Sequence, residues 1–434
     1  MTISKFSELG LADPIQRALT SRNHLVPTPI QAGSIPQLLE GRDMLGIAQT
    51  GTGKTGAFAL PILHKLSRNN DGSTRNARAL VLAPTRELAI QIGDEFRAYG
   101  QNLHLRQTLI YGGVSQKPQV SGLQRGVDII IATPGRLLDL MNQRLVKLNA
   151  IEYLVLDEAD RMLDMGFIRD IRKIMAVLPK TRQSLLFSAT MPNEIARLSG
   201  EILNNPVRVE VTPQATPIES IEQSVHYINS KAKPELLSTL LADPALERVI
   251  VFTRTKHRAN RVAQQLEKTG VSADAIHGNK SQGARQRALK RFRSGEARVL
   301  VATDVAARGI DIDAVSHVIN YEIPNEAESY VHRIGRTARA GATGVAVAFC
   351  DSTERGYLRD IEKLIKRRLT VIGDMPAPGE FESAPEKPQG RGRGGPRNNA
   401  NNNSRPGNAG KGPAKKRNRS RNRRRGANTD RAAA

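Results

Sequence analysis

The sequence predicts an α/β protein of two parallel-sheet domains in tandem, followed by a disordered basic tail. Three observations carry this. Short runs rich in Val, Ile and Leu alternate with longer amphipathic stretches, the pattern of strands buried on both faces and the helices that cover them. A proline-bearing stretch poor in apolar residues, "VTPQATPIES" (211–220), separates two sets of such runs and reads as a linker. The C-terminal stretch changes composition altogether. At 434 residues the chain also exceeds one typical domain.

The first set of runs is "MLGIA" (44–48), "ALVLA" (79–83), "DIIIA" (128–132), "YLVL" (153–156) and "SLLF" (184–187). The second is "VIVF" (249–252), "VLVA" (299–302), "HVIN" (317–320) and "VAVAF" (345–349). Each is too short for a helix. Stretches such as "RVAQQLEKTG" (261–270) carry helical spacing and stop on Gly. The expected domains are therefore 1–210 and 221–372, joined by the linker 211–220 and followed by the tail 373–434.

Between Lys387 and Ala434 there are fifteen Lys or Arg and one acid, Asp430. This piece holds +14 of the chain's +23, leaving +9 for the rest. After Phe381 there is no aromatic and no large aliphatic residue, so the segment cannot bury enough apolar surface to order itself. Clustered arginines in "RGRGG" (391–395) and "KKRNRSRNRRRG" (415–426) suit contact with nucleic-acid phosphates.

Composition narrows the function classes. No run of ~18 apolar residues is present, so no spanning helix and no membrane partner are expected. The N-terminal "MTISKFSELGLADP" lacks the apolar core of a secretory signal. Cys350 is the sole cysteine, which excludes an internal disulfide and Cys₂His₂-type zinc sites; a reducing cytoplasm is expected. With no Trp, nine Phe and seven Tyr, the chain is poorly supplied for reading bases by stacking.

Ligands of parallel sheets sit beyond the carboxyl ends of strands, and the polar signatures fall there. "AQTGTGKT" (48–55) fits a phosphate-binding loop except that Ala48 replaces the first Gly. Gly51 and Gly53 let the backbone curl round phosphates with its N–H groups inward. Lys54 would reach the outer phosphates and Thr55 would ligate Mg²⁺. In "LVLDEADRML" (154–163), Asp157, Glu158 and Asp160 crowd together after an apolar strand, which calls for a cation among them. Asp157 suits the second ligand of Mg²⁺, and Glu158 suits orienting or deprotonating the attacking water. "HRIGRTAR" (332–339) offers Arg336 and Arg339 as arginine fingers; supplied from the second domain, they would make hydrolysis depend on closure.

Taken together, the motifs resemble those of the DEAD-box ATP-dependent RNA helicases. The resemblance covers about residues 4–370 and keeps the family's order: "PTPIQ" (27–31), "AQTGTGKT" (48–55), "PTREL" (84–88), "GG" (112–113), "TPGR" (133–136), "DEAD" (157–160), "SAT" (188–190), "VFTRT" (251–255), "QGAR" (282–285), "ATDVAARGID" (302–311) and "HRIGRTAR" (332–339). The stretches "VFTRTKHRANRVAQQL" and "IHGNKSQGARQRAL" look most like the bacterial RhlE branch.

The resemblance implies two RecA-like domains with ATP and RNA bound across the cleft between them. Gln31, Thr28 and the upstream Phe6 would meet adenine, from an N-terminal Q motif at about 4–32. Ala48, Gln49, Thr50, Gly51, Thr52 and Gly53 would carry the phosphates with Lys54 and Thr55, and Asp311 would approach the ribose. Asp160 would link to Ser188, Ala189 and Thr190, and His332 and Arg333 would help couple the domains. RNA backbone contacts would come from Thr85, Arg86, Gly113, Thr133 and Arg136 in the first domain and from Arg254, Gln282, Arg285 and Thr303 in the second. Two departures stand out. The adenine-side motif has Asn23 and His24 where the family usually has Gly and an aromatic, and Ala338 stands where Gly is common. The implied activity is ATP-driven local unwinding of RNA, in ribosome assembly or RNA turnover, with ribosomal particles or decay machinery as partners. An RNA annealing chaperone driven by the tail and an ATP-gated RNA clamp are the alternatives.

Overall fold

A computed structural model of the chain describes residues 4–49, 51–68, 76–211, 221–304, 315–338 and 343–373. All of them belong to one compact unit, residues 1–384. The tail from residue 374 and most of the expected linker, 212–220, lie outside the described residues.

Two seven-stranded parallel sheets form the frame. The first contains β1 (Met44–Ile47), β2 (Ala79–Leu82), β3 (Gln107–Ile110), β4 (Ile129–Ala132), β5 (Tyr153–Leu156), β6 (Gln183–Ser188) and β7 (Val207–Glu210), in the order β3-β4-β2-β5-β6-β1-β7. The second contains β8 (Ile221–Tyr227), β9 (Val249–Phe252), β10 (Ala273–Ile276), β11 (Val299–Ala302), β12 (His317–Asn320), β13 (Gly344–Cys350) and β14 (Thr370–Val371), in the order β10-β11-β9-β12-β13-β8-β14. Counted from its own first strand, the second sheet repeats the order of the first. The chain is thus two RecA-like α/β domains in tandem, one architecture used twice without an evident sequence repeat.

The strands form where the sequence is apolar on both sides of the pleat. In β5, Tyr153 and Val155 pack into one core layer, while Leu154 and Leu156 pack into the layer on the opposite face. Alternate residues point to opposite faces, so a strand covered by helices on both sides must be apolar throughout. β1 obeys the same rule with one constraint: a side chain at Gly46 would come within 2.6 Å of the Phe187 ring, so the strand carries Gly there. Every strand leads its carboxyl end to one edge of its sheet, and the loops on that edge hold the motifs.

Candidate active site

The loop after β1 is held at both ends. The Ala48 N–H donates to the Ser188 carbonyl at 3.0 Å, and Thr52 Oγ1 donates to the Gln49 carbonyl at 2.7 Å. Gly51 and Gly53 adopt φ of 86° and 90°, the left-handed region that only Gly enters without strain. Lys54 then opens the helix Lys54–Arg68, and its ammonium donates to the Ala48 carbonyl at 3.0 Å. Gln31 wedges against this loop. Its Nε2 donates to the Gly53 carbonyl at 3.0 Å, and its Oε1 accepts from the Thr28 N–H at 2.9 Å. A side chain at Gly53 would meet Gln31 at 2.6 Å, so the loop and the glutamine fit only because that position is bare.

A cleft of about 610 Å³ opens here, lined by Phe6, His24, Gln31, Thr55 and Asp157 among others. Phe6 is buried, and its N–H donates to the Leu25 carbonyl at 3.1 Å, which pins the segment that carries His24. The His24 ring lies 6.0 Å from Tyr99. Arg22 lies 5.0 Å over the same Tyr99 ring and pairs with Glu95 at 2.9 Å. Burial, then Arg22, holds the His24 imidazole below its usual pKa, so the ring is a neutral stacking surface. Tyr99, Arg22 and Glu95 were not singled out from sequence; Arg22 lies within the Q-motif stretch but had no role there, and only folding brings Tyr99 and Glu95 to the cleft.

Asp157 follows β5 and is 2% exposed. Burial pushes its carboxyl up to about 6, against the pull of Lys54. Its Oδ1 accepts the Glu158 N–H at 3.0 Å. Glu158 has φ 52°, a left-handed conformation that costs a non-glycine residue roughly 1–2 kcal/mol. Such strain persists where the surroundings dictate it, and functional sites are where it collects. The constraint on the side chain is Arg161, whose Nη1 pairs with Glu158 Oε2 at 2.7 Å. Burial would raise the Glu158 pKa, yet Arg161, Lys54 and Arg336 together hold it below the usual value. Arg161 was missed; its position three residues on from Glu158 was the available signal.

Arg336 comes to this carboxylate from the second domain. Glu158, Asp160, Arg161 and Thr190 line one side of a cavity of about 500 Å³, and Ser329, His332 and Arg336 line the other. Burial, reinforced by Arg161 and opposed by Glu158, pulls the Arg336 guanidinium down to about 10. Its Nε donates to the His332 carbonyl at 3.2 Å. Arg339, Asp311 and Thr50 lie outside the described residues.

Asp160 is joined to the strand-end residues expected from sequence. Its Oδ2 accepts the Ala189 N–H at 3.1 Å, the Thr190 N–H at 2.9 Å and the Thr190 hydroxyl at 2.9 Å. The Asp160 N–H donates to Ser188 Oγ at 3.3 Å. Arg333 is placed differently from an interdomain contact. It is 2% exposed and bonded within the second domain, to Asp304 at 2.6 Å, Asn320 at 3.0 Å and the Glu322 carbonyl at 2.7 Å, under the Phe252 ring. A guanidinium this deep must have its donors matched, and those matches consume it.

Several of the proposed RNA contacts already have protein partners. Thr85 caps the helix Arg86–Tyr99 by accepting the Leu88 N–H at 3.3 Å. The Arg86 guanidinium lies directly on Gly113, where any Cβ would collide with it. Thr133 is buried, with its N–H on the Ile110 carbonyl at 2.9 Å, and Arg136 pairs with Asp139 at 3.4 Å. Thr303 is buried beyond β11. Gln282 and Arg285 meet Glu87 of the first domain at 2.9 and 3.1 Å. Arg254 meets Glu354 at 3.0 Å and Asn325 at 3.3 Å. Glu87, within the quoted "PTREL", is a further residue to which sequence assigned no role.

The groups present fit a nucleotide with a divalent ion. Among the described residues, no cluster of three or more His, Cys, Asp or Glu side chains could hold a metal ion. Thr55 and Asp157 instead suit Mg²⁺, which keeps waters and shares phosphate oxygens rather than requiring a protein cage.

Comparison with known proteins agrees with this geometry. The family profile described as DEAD/DEAH box helicase matches residues 28–198, and that described as Helicase conserved C-terminal domain matches residues 232–341. The ATP-dependent RNA helicase CshA of Listeria monocytogenes is 44% identical over 391 residues, 89% of this chain and 74% of the relative. Saccharomyces cerevisiae Dbp5 bound to RNA and ADP BeF3 superposes with a TM-score of 0.74 at 33% identity, over 85% of this chain and 95% of that one. A point variant of Dbp5 bound to Nup159, a Gle1 variant, IP6 and ADP gives a TM-score of 0.59 at 31% identity, over 84% and 95%. Of these two Dbp5 structures, the one with RNA and ADP BeF3 superposes the better. The expected RhlE branch is not supported, because the matched relatives are named CshA. Two short stretches outside the shared motifs were too little to sort branches.

Proposed function

Since the chain belongs to the DEAD-box family of ATP-dependent RNA helicases, and is thus an RNA-dependent ATPase, we propose that it remodels short RNA duplexes by closing its two domains on ATP and RNA together. The observation that carries this is the shared cavity in which Glu158 of the first domain faces Arg336 of the second. A water-activating carboxylate and a charge-stabilising guanidinium from different domains meet only when the cleft is shut.

In this reading Gln31 and His24 take the adenine, and Gly51, Gly53 and Lys54 take the phosphates. Thr55 and Asp157 would hold Mg²⁺, which supplies charge neutralisation at the β- and γ-phosphates when bound. Glu158 orients the attacking water and accepts its proton. Arg161 keeps that carboxylate ionised and fixed, and Arg336 offsets the charge that develops on the phosphoryl group. Asp160 carries the state of the site into Ser188-Ala189-Thr190, since one carboxylate oxygen accepts three donors from that loop.

RNA would lie along Arg86, Gly113, Thr133 and Arg136 in one domain and Arg254 and Thr303 in the other, read through backbone and 2′-OH rather than base edges. The few aromatic residues and the basic charge of the chain support that choice. Ribosome assembly or RNA turnover in the cytoplasm is the proposed setting, with the tail adding affinity for RNA. ATP hydrolysis measured alone, with single-stranded RNA and with single-stranded DNA tests the core of the reading. Stimulation by RNA only is expected; equal stimulation by DNA would overturn it.

A further inference from the structure

We propose that Glu354 is a positioning residue for RNA engagement: its buried carboxylate fixes the guanidinium of Arg254 at the ligand edge of the second sheet. The inference rests on the reading of Arg254 as an RNA contact.

Glu354 is fully buried, at 0% exposure, and four donors from separate places converge on it. Lys233 Nζ lies 2.6 Å from Oε2, and the Asp351 N–H donates to the same oxygen at 3.2 Å. The Ile323 N–H donates to Oε1 at 3.1 Å, and Arg254 Nη2 lies 3.0 Å from it. Lys233 is itself 1% exposed and also reaches Asp351 at 3.2 Å. A carboxylate removed from water is tolerable only when its partners are fixed, and here neither oxygen can turn without abandoning two of them.

The donors all follow carboxyl ends of neighbouring strands: Lys233 after β8, Arg254 after β9, Ile323 after β12 and Asp351 after β13. That edge is where ligands of parallel sheets bind. Arg254 differs from the rest of the cluster in being 29% exposed. Its backbone N–H is held by Glu322 at 2.8 Å, one end of its guanidinium by Glu354, and Asn325 takes another N–H at 3.3 Å. A guanidinium has five N–H donors, so these contacts aim the group while leaving donors for a phosphate. The buried network thus anchors the root of a cation whose head meets solvent.

A purely structural Lys233–Glu354 pair would stabilise the domain and do nothing more. The two roles separate in the full-length protein by RNA-stimulated ATPase, titrated with a single-stranded oligouridylate, for Arg254→Ala, Glu354→Gln, Lys233→Met/Glu354→Gln and the triple variant. Glu354→Gln alone removes the nearer of the two carboxylates that hold the buried ammonium, leaving Asp351, and puts the fold at risk, which is why Lys233→Met accompanies it. The double variant is expected to raise the half-saturating RNA concentration about tenfold, the worth of one charge-assisted hydrogen bond, with the maximal rate kept. Adding Arg254→Ala to it should change nothing further. Wild-type half-saturation in the double variant, or penalties that multiply with Arg254→Ala, would overturn the positioning role. Wild-type half-saturation in Arg254→Ala alone would overturn the RNA contact itself, and the positioning role with it.

Discussion

Glu87 of the first domain accepts a hydrogen bond from Gln282 of the second at 2.9 Å, and Arg285 pairs with the same carboxylate at 3.1 Å. The three side chains are buried against one another, and they can be so only in the closed arrangement. In an open cleft each would return to water. Glu87→Ala therefore removes a contact of about 2 kcal/mol that exists in one state alone. The expected outcome is a loss of roughly tenfold or more in RNA-stimulated ATP hydrolysis below saturating RNA, with the thermal midpoint unchanged. A wild-type RNA dependence would show that this carboxylate does not bias closure.

Glu158→Gln keeps the shape of the side chain and removes its proton acceptor. Turnover should fall by about 10²- to 10⁴-fold, the range for loss of a general base. Binding of a fluorescent ATP analogue and of RNA should persist, because Lys54, Gln31 and the phosphate loop are untouched. Normal turnover would remove Glu158 from the mechanism.

Asp157 gives the site a pH signature. Its carboxyl sits at about 6 rather than its ordinary 3.8, mainly because it is buried. The folded protein thus binds this proton more tightly than the unfolded chain does. The stability so gained is complete below the unfolded value and is lost as the pH climbs through 6. Above that, keeping a dry carboxylate ionised costs about 3 kcal/mol. Asp157→Asn should raise the melting temperature of the nucleotide-free protein near pH 8, change it little near pH 4, and abolish hydrolysis. An equal shift at both values would mean that the burial of this group carries no such cost.

The strands buried on both faces were legible because a run such as "DIIIA" or "VIVF" has no other use in a folded chain. The edge strands β3, β7, β10 and β14 were not. Their sequences "QTLI", "VRVE", "ADAI" and "TV" each carry at least one polar residue and give no unbroken apolar run, since one side of an edge strand meets solvent or a loop. β8, "IEQSVHY", was hidden by a buried polar residue, Gln223, which accepts the Tyr330 hydroxyl at 3.1 Å. In the site, the motif residues were legible because phosphate chemistry restricts their types. Glu87 was not, because its partner Gln282 lies 195 residues away and no local pattern announces the pair.

The two departures from glycine now have a physical reading. Asn23 and Ala338 both have left-handed backbones, with φ of 58° and 53°. Asn enters this region with little strain, whereas Ala pays roughly 1–2 kcal/mol. Ala338→Gly should relieve that strain, give back part of it through the freer unfolded chain, and stabilise the protein by about 0.5–1 kcal/mol. Asn23→Gly should fall within a few tenths of wild type. Chemical denaturation of the two variants side by side checks the contrast, and a destabilised Ala338→Gly would contradict it.

The tail makes a separable claim, because its cations add affinity without adding a site. Each of its cations engaged with single-stranded RNA steepens the dependence of log affinity on log salt by about 0.7. The segment 387–434 holds fifteen Lys or Arg, so engaging a third of them would account for roughly 3.5 of the slope. Deleting it should therefore weaken RNA binding most at low salt, flatten the salt dependence by that amount, and leave the RNA-saturated ATPase rate intact, since Glu158, Arg336 and the phosphate loop all lie in the core. A deletion that instead abolished strand annealing while sparing both RNA affinity and ATP turnover would assign the tail its own chaperone activity. The basic charge would then act on two strands at once rather than feed one strand to the cleft.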